Sequence, residues 1–303
     1  MKKFLSLILI SLLALTCTAC AEEYVITASA PSGAPALALA TIAVENPENF
    51  TFVAAETISA EFANQNSDFI IAPLNAGAKL YKAGKSNYKL AGVVSWGNLY
   101  IASQKEGFTL EDLNGATVVL FGENTINASV VKYALEQNGI VPAEIQYLGS
   151  AANTQSLLLT DPNAIVVTAE PALTAAQMKN PAITAYAVND LYKAATGYEG
   201  YTQAALFVKG ETIENQPEAV KAFIEAVAAS CEQATTDVEA VANAAVAIEV
   251  LPNVKVAMNA IPGCAVRYVS AVDAREQIEF TANIDLTQFG GALPADDFYY
   301  VAE

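Results

Sequence analysis

Trp96 is the only tryptophan in the chain, and it stands between two small residues, Ser95 and Gly97, where an apolar run ends. A flat, rigid ring there would stack on a planar solute, although a lone tryptophan also serves as core filler. Glu170 closes another apolar run, "AIVVTAE", and is followed by Pro171. Its carboxylate would hold a cationic or N–H-bearing group, or would act as a helix cap or rim charge. Asn75, Asn124, Asn127 and Gln203 are uncharged donors and acceptors of the kind that orient a polar solute, although asparagine also favours turns. The chain has no histidine, which removes Ser-His-Asp and Cys-His nucleophiles and histidine-rich zinc sites. "KAGKS" at 82–86 lacks the glycine at position 79 and the preceding strand that a phosphate loop needs. "PADDFYY", with Asp296, Asp297, Tyr299 and Tyr300, reads as a solvated tail with a packed aromatic rather than a calcium or iron site. These residue types suit binding better than bond-making.

The elements that would position them follow from periodicity. "ITASAPSGAPALALATIAVEN", residues 26–46, passes from a β-branched stretch through a turn into an alanine-rich helix opened by Gly33 and Pro35. No acidic side chain caps that helix, so its free N–H groups are available to something else. The pattern continues through strands at "FTFVAAE" and "DFIIAPL", with helices around "ISAEFANQNS" and "NAGAKLYKAGK". A second copy starts at "ATVVLFG", turns through "ENTIN" into "ASVVKYALEQNG", and proceeds by "EIQYLGS", "NTQSLLLTDP", "AIVVTAE" and "PALTAAQMKN". Each copy is β-α-β-α-β with short connections, which predicts a mainly parallel sheet flanked by helices. Two copies predict an α/β protein of two lobes. The chain would cross between them after "KLAGVVSWGNLYIAS" and again at "GYEGYTQAALFVKGE", where a strand resumes near Ala205, and helix would follow from Pro217. In open α/β sheets ligands sit beyond the carboxyl ends of the strands, so the two crossings would frame a cleft there.

Length, composition and the first residues narrow the class further. At 303 residues and 53% hydrophobic the chain can bury two cores. Its net charge of −17 repels nucleic-acid phosphates and leaves no polybasic patch for anionic lipid. Lys2 and Lys3 precede a short apolar run, Phe4–Leu15, then "LTCTAC", which reads as a leader over residues 1–20. Cys20 would be the lipidated first residue of the mature chain, although Cys17 replaces the usual leucine; the alternative is plain cleavage after Ala21. Cys231 and Cys264 would either bridge, closing a loop of 33 residues, or lie as two small buried hydrophobes. A bridge would add roughly 3–4 kcal/mol.

Together "DFIIAPLNAGAKLY", "SWGNLYIAS", "FTLEDLNGATVVLFGENT", "YALEQNGIVP", "NQPEAVKAFIEAV" and "GGALPADDFYY" resemble, in their order along the chain, the substrate-binding proteins of bacterial ABC importers. The fold implied is the type II periplasmic-binding fold, in the branch that takes aliphatic sulfonates, nitrate and the pyrimidine precursor of thiamine. The resemblance places the cleft in six loops: Ser32-Gly33-Ala34, Pro73-Leu74-Asn75-Ala76, Ser95-Trp96-Gly97, Asn124-Thr125-Ile126-Asn127, Ala169-Glu170-Pro171 and Tyr201-Thr202-Gln203. The two arginines, Arg267 and Arg275, lie outside all six, which argues against an anion clamp. Residues 21–102 plus 205–303 would form the first lobe and 103–204 the second. The resemblance implies a monomer, anchored to the membrane by lipid, that takes a small organic solute to a permease and its ATPase. It implies no cofactor, no metal and no catalysis. The rivals are an enzyme on the same fold, as in an alternative menaquinone route, and a ligand-sensing receptor lobe.

Overall fold

Short runs of β-branched and aromatic residues form strands whose successive side chains enter different layers. The computed structural model describes residues 24–302, so the leader and Cys20 lie outside the described residues. The strands are β1 (Ala28–Pro31), β2 (Phe50–Val53), β3 (Phe69–Pro73), β4 (Tyr88–Ser95), β5 (Leu99–Ser103) and β6 (Thr117–Phe121). They continue as β7 (Glu144–Leu148), β8 (Ile165–Ala169), β9 (Thr184–Ala187), β10 (Ala204–Lys209) and β11 (Val266–Ser270). One sheet has the order β11-β4-β10-β3-β1-β2 and the other β7-β6-β8-β5-β9.

Both sheets are mixed, where the sequence suggested mainly parallel ones. β1 pairs parallel with β2 and β3, and β6 with β7 and β8, as βαβ crossovers demand. β10 runs antiparallel between β3 and β4, and β5 antiparallel between β8 and β9. The reason is the crossing itself. A strand arriving from the other lobe enters its sheet at the cleft end, so it runs against the strands that finish there.

β5, Leu99–Ser103, pairs wholly within the second sheet, with β8 and β9. The first crossing is therefore only Trp96-Gly97-Asn98. The continuous apolar run "KLAGVVSWGNLYIAS" concealed two strands of different sheets. The return strand begins at Ala204, next to the expected Ala205. β9 and β11 were not read from sequence.

The helix after Gly33 is much shorter than the alanine content suggested. A 3-10 turn spans Ala34–Leu39, and only Ala40–Ala43 is α-helical. Ala34, Ala36, Leu37, Ala38, Leu39, Ala40 and Ala43 are all buried. Tight packing under the helix Pro217–Thr236 thus overrides alanine's propensity. Such a turn offers no long helix end to a ligand.

Three buried clusters fill the layers. Alternation divides them: on β6, Val118 and Leu120 enter one cluster and Val119 another. On β3, Ile70 and Ala72 face one layer, while Phe69 and Ile71 face the layer beneath the helix Pro217–Thr236.

Cys231 and Cys264 both lie in this last layer and are free thiols, so the bridge is not formed. The Cys264 thiol instead donates to the carbonyl of Ala260 at 3.2 Å. Burial pushes the Cys231 thiol up to about 12 and Cys264 well above its ordinary value. Both behave as small hydrophobes.

Candidate functional site

The six loops occupy corresponding ends of the two sheets. In the first sheet β1, β3 and β4 end at Pro31, Pro73 and Ser95, and β10 begins at Ala204. In the second, β6 and β8 end at Phe121 and Ala169, and β5 begins at Leu99. Because the chain passes directly from Ser95 to Leu99, these ends must lie together.

Gln203 is the hub of what lies between them. Its backbone binds both neighbours, donating to the Ser95 carbonyl and accepting from the Leu74 amide, each at 3.0 Å. Its side-chain oxygen accepts from the Ser95 hydroxyl at 3.1 Å. Its amide nitrogen donates to Asn98 Oδ1 at 3.0 Å and to Asn127 Oδ1 at 3.4 Å. Asn127 Oδ1 also accepts from the Tyr201 hydroxyl at 3.0 Å. Asn98 in turn donates from Nδ2 to the Glu170 carbonyl at 2.9 Å. One amide network thus joins loops of both sheets. Tyr201 is fully buried, and that burial raises its hydroxyl well above the ordinary tyrosine value, so it stays a neutral donor.

The expected residues divide around this network. Gln203 and Asn127 belong to it by side chain, and Gly97 lies in the crossing. Asn75 and Ala76 follow Leu74, and Asn75 Oδ1 is buried without a partner, as is the hydroxyl of Thr202. Ser32, Gly33 and Ala34 follow the adjacent strand β1, with the Ser32 amide bound to the Val53 carbonyl at 2.9 Å and the Ser32 side chain exposed. Asn124 is exposed and adopts a left-handed φ of 58°, a turn role. The Thr125 hydroxyl caps its helix, accepting from the Ala128 amide at 3.3 Å.

Trp96 is 3% exposed and belongs to the core. Its indole N–H donates to the Arg267 carbonyl at 2.8 Å, and the Arg267 guanidinium covers the ring at 4.5 Å from its centroid. The ring is enclosed rather than offered for stacking. Gly97 beside it has φ 87°, and a β-carbon there would stand 2.5 Å from both Asn189 Oδ1 and the Tyr201 ring. Only glycine lets the crossing pass so close.

Glu170 is 7% exposed. Its carboxylate accepts from the Thr174 amide at 3.1 Å and the Thr174 hydroxyl at 2.9 Å, the helix-start role that the sequence left open. Burial raises this carboxyl above the usual glutamate range, and the two Thr174 bonds oppose the rise. No lysine or arginine among the described residues bonds it. Arg275 pairs with Glu279 at 2.8 Å and with Asp296 at 2.5 Å. Asp297 accepts from Tyr81, so the "PADDFYY" tail is packed and paired.

Asn98, Asn189 and Tyr100 were missed. Asn98 had a signal, an amide one residue before a strand start. Asn189, which donates to the carbonyls of Trp96 and Gly97 at 2.9 Å each, had none, because its helix follows the unread β9. Surface concavities of 310–590 Å³ among the described residues are lined by groups other than those of the network.

A known family model, NMT1/THI5 like, matches residues 74–240, more than half of the chain and four of the six loops in full. The chain belongs to the NMT1/THI5-like family. The fold of this NMT1/THI5-like chain recurs in solved structures. An ABC transporter protein from Parabacteroides distasonis superposes with a TM-score of 0.76 at 23% identity, covering 92% of this chain and 99% of that one. The ligand-binding component of an ABC-type import system from Staphylococcus aureus, with zinc bound, gives 0.68 at 12% identity, over 92% and 97%. The periplasmic aliphatic sulphonate binding protein SsuA from Escherichia coli gives 0.68 at 14%, over 92% of each chain. No curated protein matches the chain. These likenesses establish the two-lobed periplasmic-binding fold.

Proposed function

We propose that this NMT1/THI5-like chain is an extracytoplasmic solute-binding protein that holds a small organic molecule between its lobes and presents it to an ABC import permease. The observation that carries the reading is the Gln203 network, in which uncharged amides and hydroxyls of both sheets converge on one point. A ligand bonding to groups of both lobes stabilises the form in which those lobes meet, and so shifts an open–closed equilibrium. The buried, partnerless oxygens of Asn75 and Thr202 are acceptors that such a solute would satisfy. With no cation among these groups and an acid beside them, the site suits a neutral or N–H-bearing solute better than an anion. Ser32, Gly33, Ala34, Asn75, Ala76, Trp96, Gly97, Asn124, Thr125, Asn127, Glu170 and Gln203 remain the proposed cleft positions, with Gln203 and Asn127 at its centre. The reading includes export and lipid attachment at Cys20, supported by the leader sequence, a single-chain binder, and lobes of residues 21–98 plus 204–303 and 99–203.

Native mass spectrometry of the purified protein tests this. A small molecule should be recovered chemically unchanged, and Gln203→Ala should lower its occupancy by roughly tenfold or more, since stranded buried partners cost about 1–3 kcal/mol each. Recovery of a converted product, or full occupancy in Gln203→Ala, would overturn it.

A further inference from the structure

The lobes meet differently on the two faces of the second sheet. On one face they share an apolar interior, a cluster that holds Leu90 and Ile278 of the first lobe with Val130 and Leu191 of the second. On the other face the clusters are separate, with Val220 and Ala257 in one and Val166 and Leu173 in the other. These layers meet at a seam, where the helix Val254–Ala260 lies against the helix Ala172–Lys179. The Tyr100 hydroxyl donates to the Gly263 carbonyl at 3.1 Å there.

Each seam helix carries a methionine, Met258 on one and Met178 on the other. A flexible thioether ordinarily fills gaps in a core. Neither of these does: Met178 is 40% and Met258 37% exposed, and neither belongs to the three buried clusters. Helical spacing is the cause. Val256, Ala257 and Ala260 turn inward, which leaves Lys255, Met258 and Asn259 outside. On the other helix Leu173, Thr174 and Ala176 turn inward, and Met178 stands out beside Lys179.

The remaining sulfur groups among the described residues, Cys231 and Cys264, are the reverse, at 1% and 0% exposed. Burial also holds both as protonated thiols, whereas the thiolate is the form that oxidants attack. In an unfolded chain the cysteines would react before the methionines. Folding inverts that order.

We propose that Met178 and Met258 form a paired site of reversible sulfoxidation, one on each side of the seam, through which peroxide marks the folded protein. In each reaction the thioether sulfur gives an electron pair to hydrogen peroxide. The O–O bond breaks, an S–O bond forms and water leaves. A methionine sulfoxide reductase reverses the change, releasing the oxygen as water while two thiols of a reductant become a disulfide. Neither methionine takes part in the Gln203 network, so this site goes beyond the solute-binding reading and does not depend on it.

Hydrogen peroxide treatment of the full chain at neutral pH, read by peptide mass mapping, tests the site. Met178 and Met258 should each gain one oxygen atom at least roughly tenfold faster than Cys231 or Cys264 gains any. In guanidinium the order should reverse, because unfolding releases the thiols and changes the methionines little. The oxidised protein should keep its melting temperature within about 2 °C, as for changes at exposed positions. Reductases for both sulfoxide epimers, supplied with dithiothreitol, should return both peptides to their starting mass. Cysteine oxidation in the folded chain at the methionine rate, resistance of either methionine, or the same order folded and unfolded would overturn the proposal. So would a clear fall in melting temperature or a sulfoxide that the reductases do not remove.

Discussion

At the scale of the residue, burial rearranged the roles. Trp96 has the surroundings of a stacking platform in sequence, yet its ring is inside, with its N–H satisfied and Arg267 across it. Trp96→Ala should cost about 3–5 kcal/mol of stability in chemical denaturation, as for other large aromatic truncations in cores. A loss below about 1 kcal/mol would mean the ring supports little. Glu170 makes a prediction with a definite sign. Its carboxyl is raised in the folded protein, so the native state binds the proton more tightly than the unfolded chain does. Its contribution to stability is therefore fullest below the ordinary value of 4.5 and is lost as pH rises through the folded value. Glu170→Gln has no proton to lose, so its stability relative to wild type should grow between pH 4 and 7 in denaturant titrations. A pH-independent difference would count against a raised carboxyl.

At the scale of the element, most strands were legible, whereas β9, β11 and the short helix after Gly33 were not. β3, β6 and β8 fall inside the runs "DFIIAPL", "ATVVLFG" and "AIVVTAE" because largely buried strands are short, apolar and bounded by turns, while the edge strand β7 in "EIQYLGS" shows alternation instead. The helix opened by Pro35 failed as a reading because alanine there serves close packing rather than helix length. The cysteines illustrate the same limit. The sequence left open a bridge or two small buried hydrophobes, because pairing depends on where Cys264 arrives from another element. Both are free and buried. The melting temperature should thus be the same with and without reductant, and a drop of several degrees on reduction would indicate a bridge in solution.

At the scale of the whole molecule, the lobes are not independent. One buried cluster runs through both, from Phe62 beside the first sheet to Leu135 and Leu191 beside the second. Calorimetry should show a single unfolding transition, because neither lobe keeps its interior when the other is lost. Two resolved transitions would show that the shared cluster contributes little.

The sequence by itself determined the class of this protein. Duplicated β-α-β-α-β patterning, the absence of histidine, the acidic balance and the ordered resemblance to importer binding proteins all depend on local spacing and composition, which the chain carries explicitly. It also marked the strand ends on which Gln203, Asn127 and Glu170 sit. Only the tertiary structure decided that "KLAGVVSWGNLYIAS" divides between two sheets and that Gln203 is the hub. It alone decided that Trp96 is enclosed and that the lobes share a core on one face and a seam on the other. Each of these is a contact between residues distant in the chain, such as Ser95 with Gln203 or Tyr100 with Gly263. Their energy comes from the arrival of one element beside another, which periodicity along a single segment does not encode.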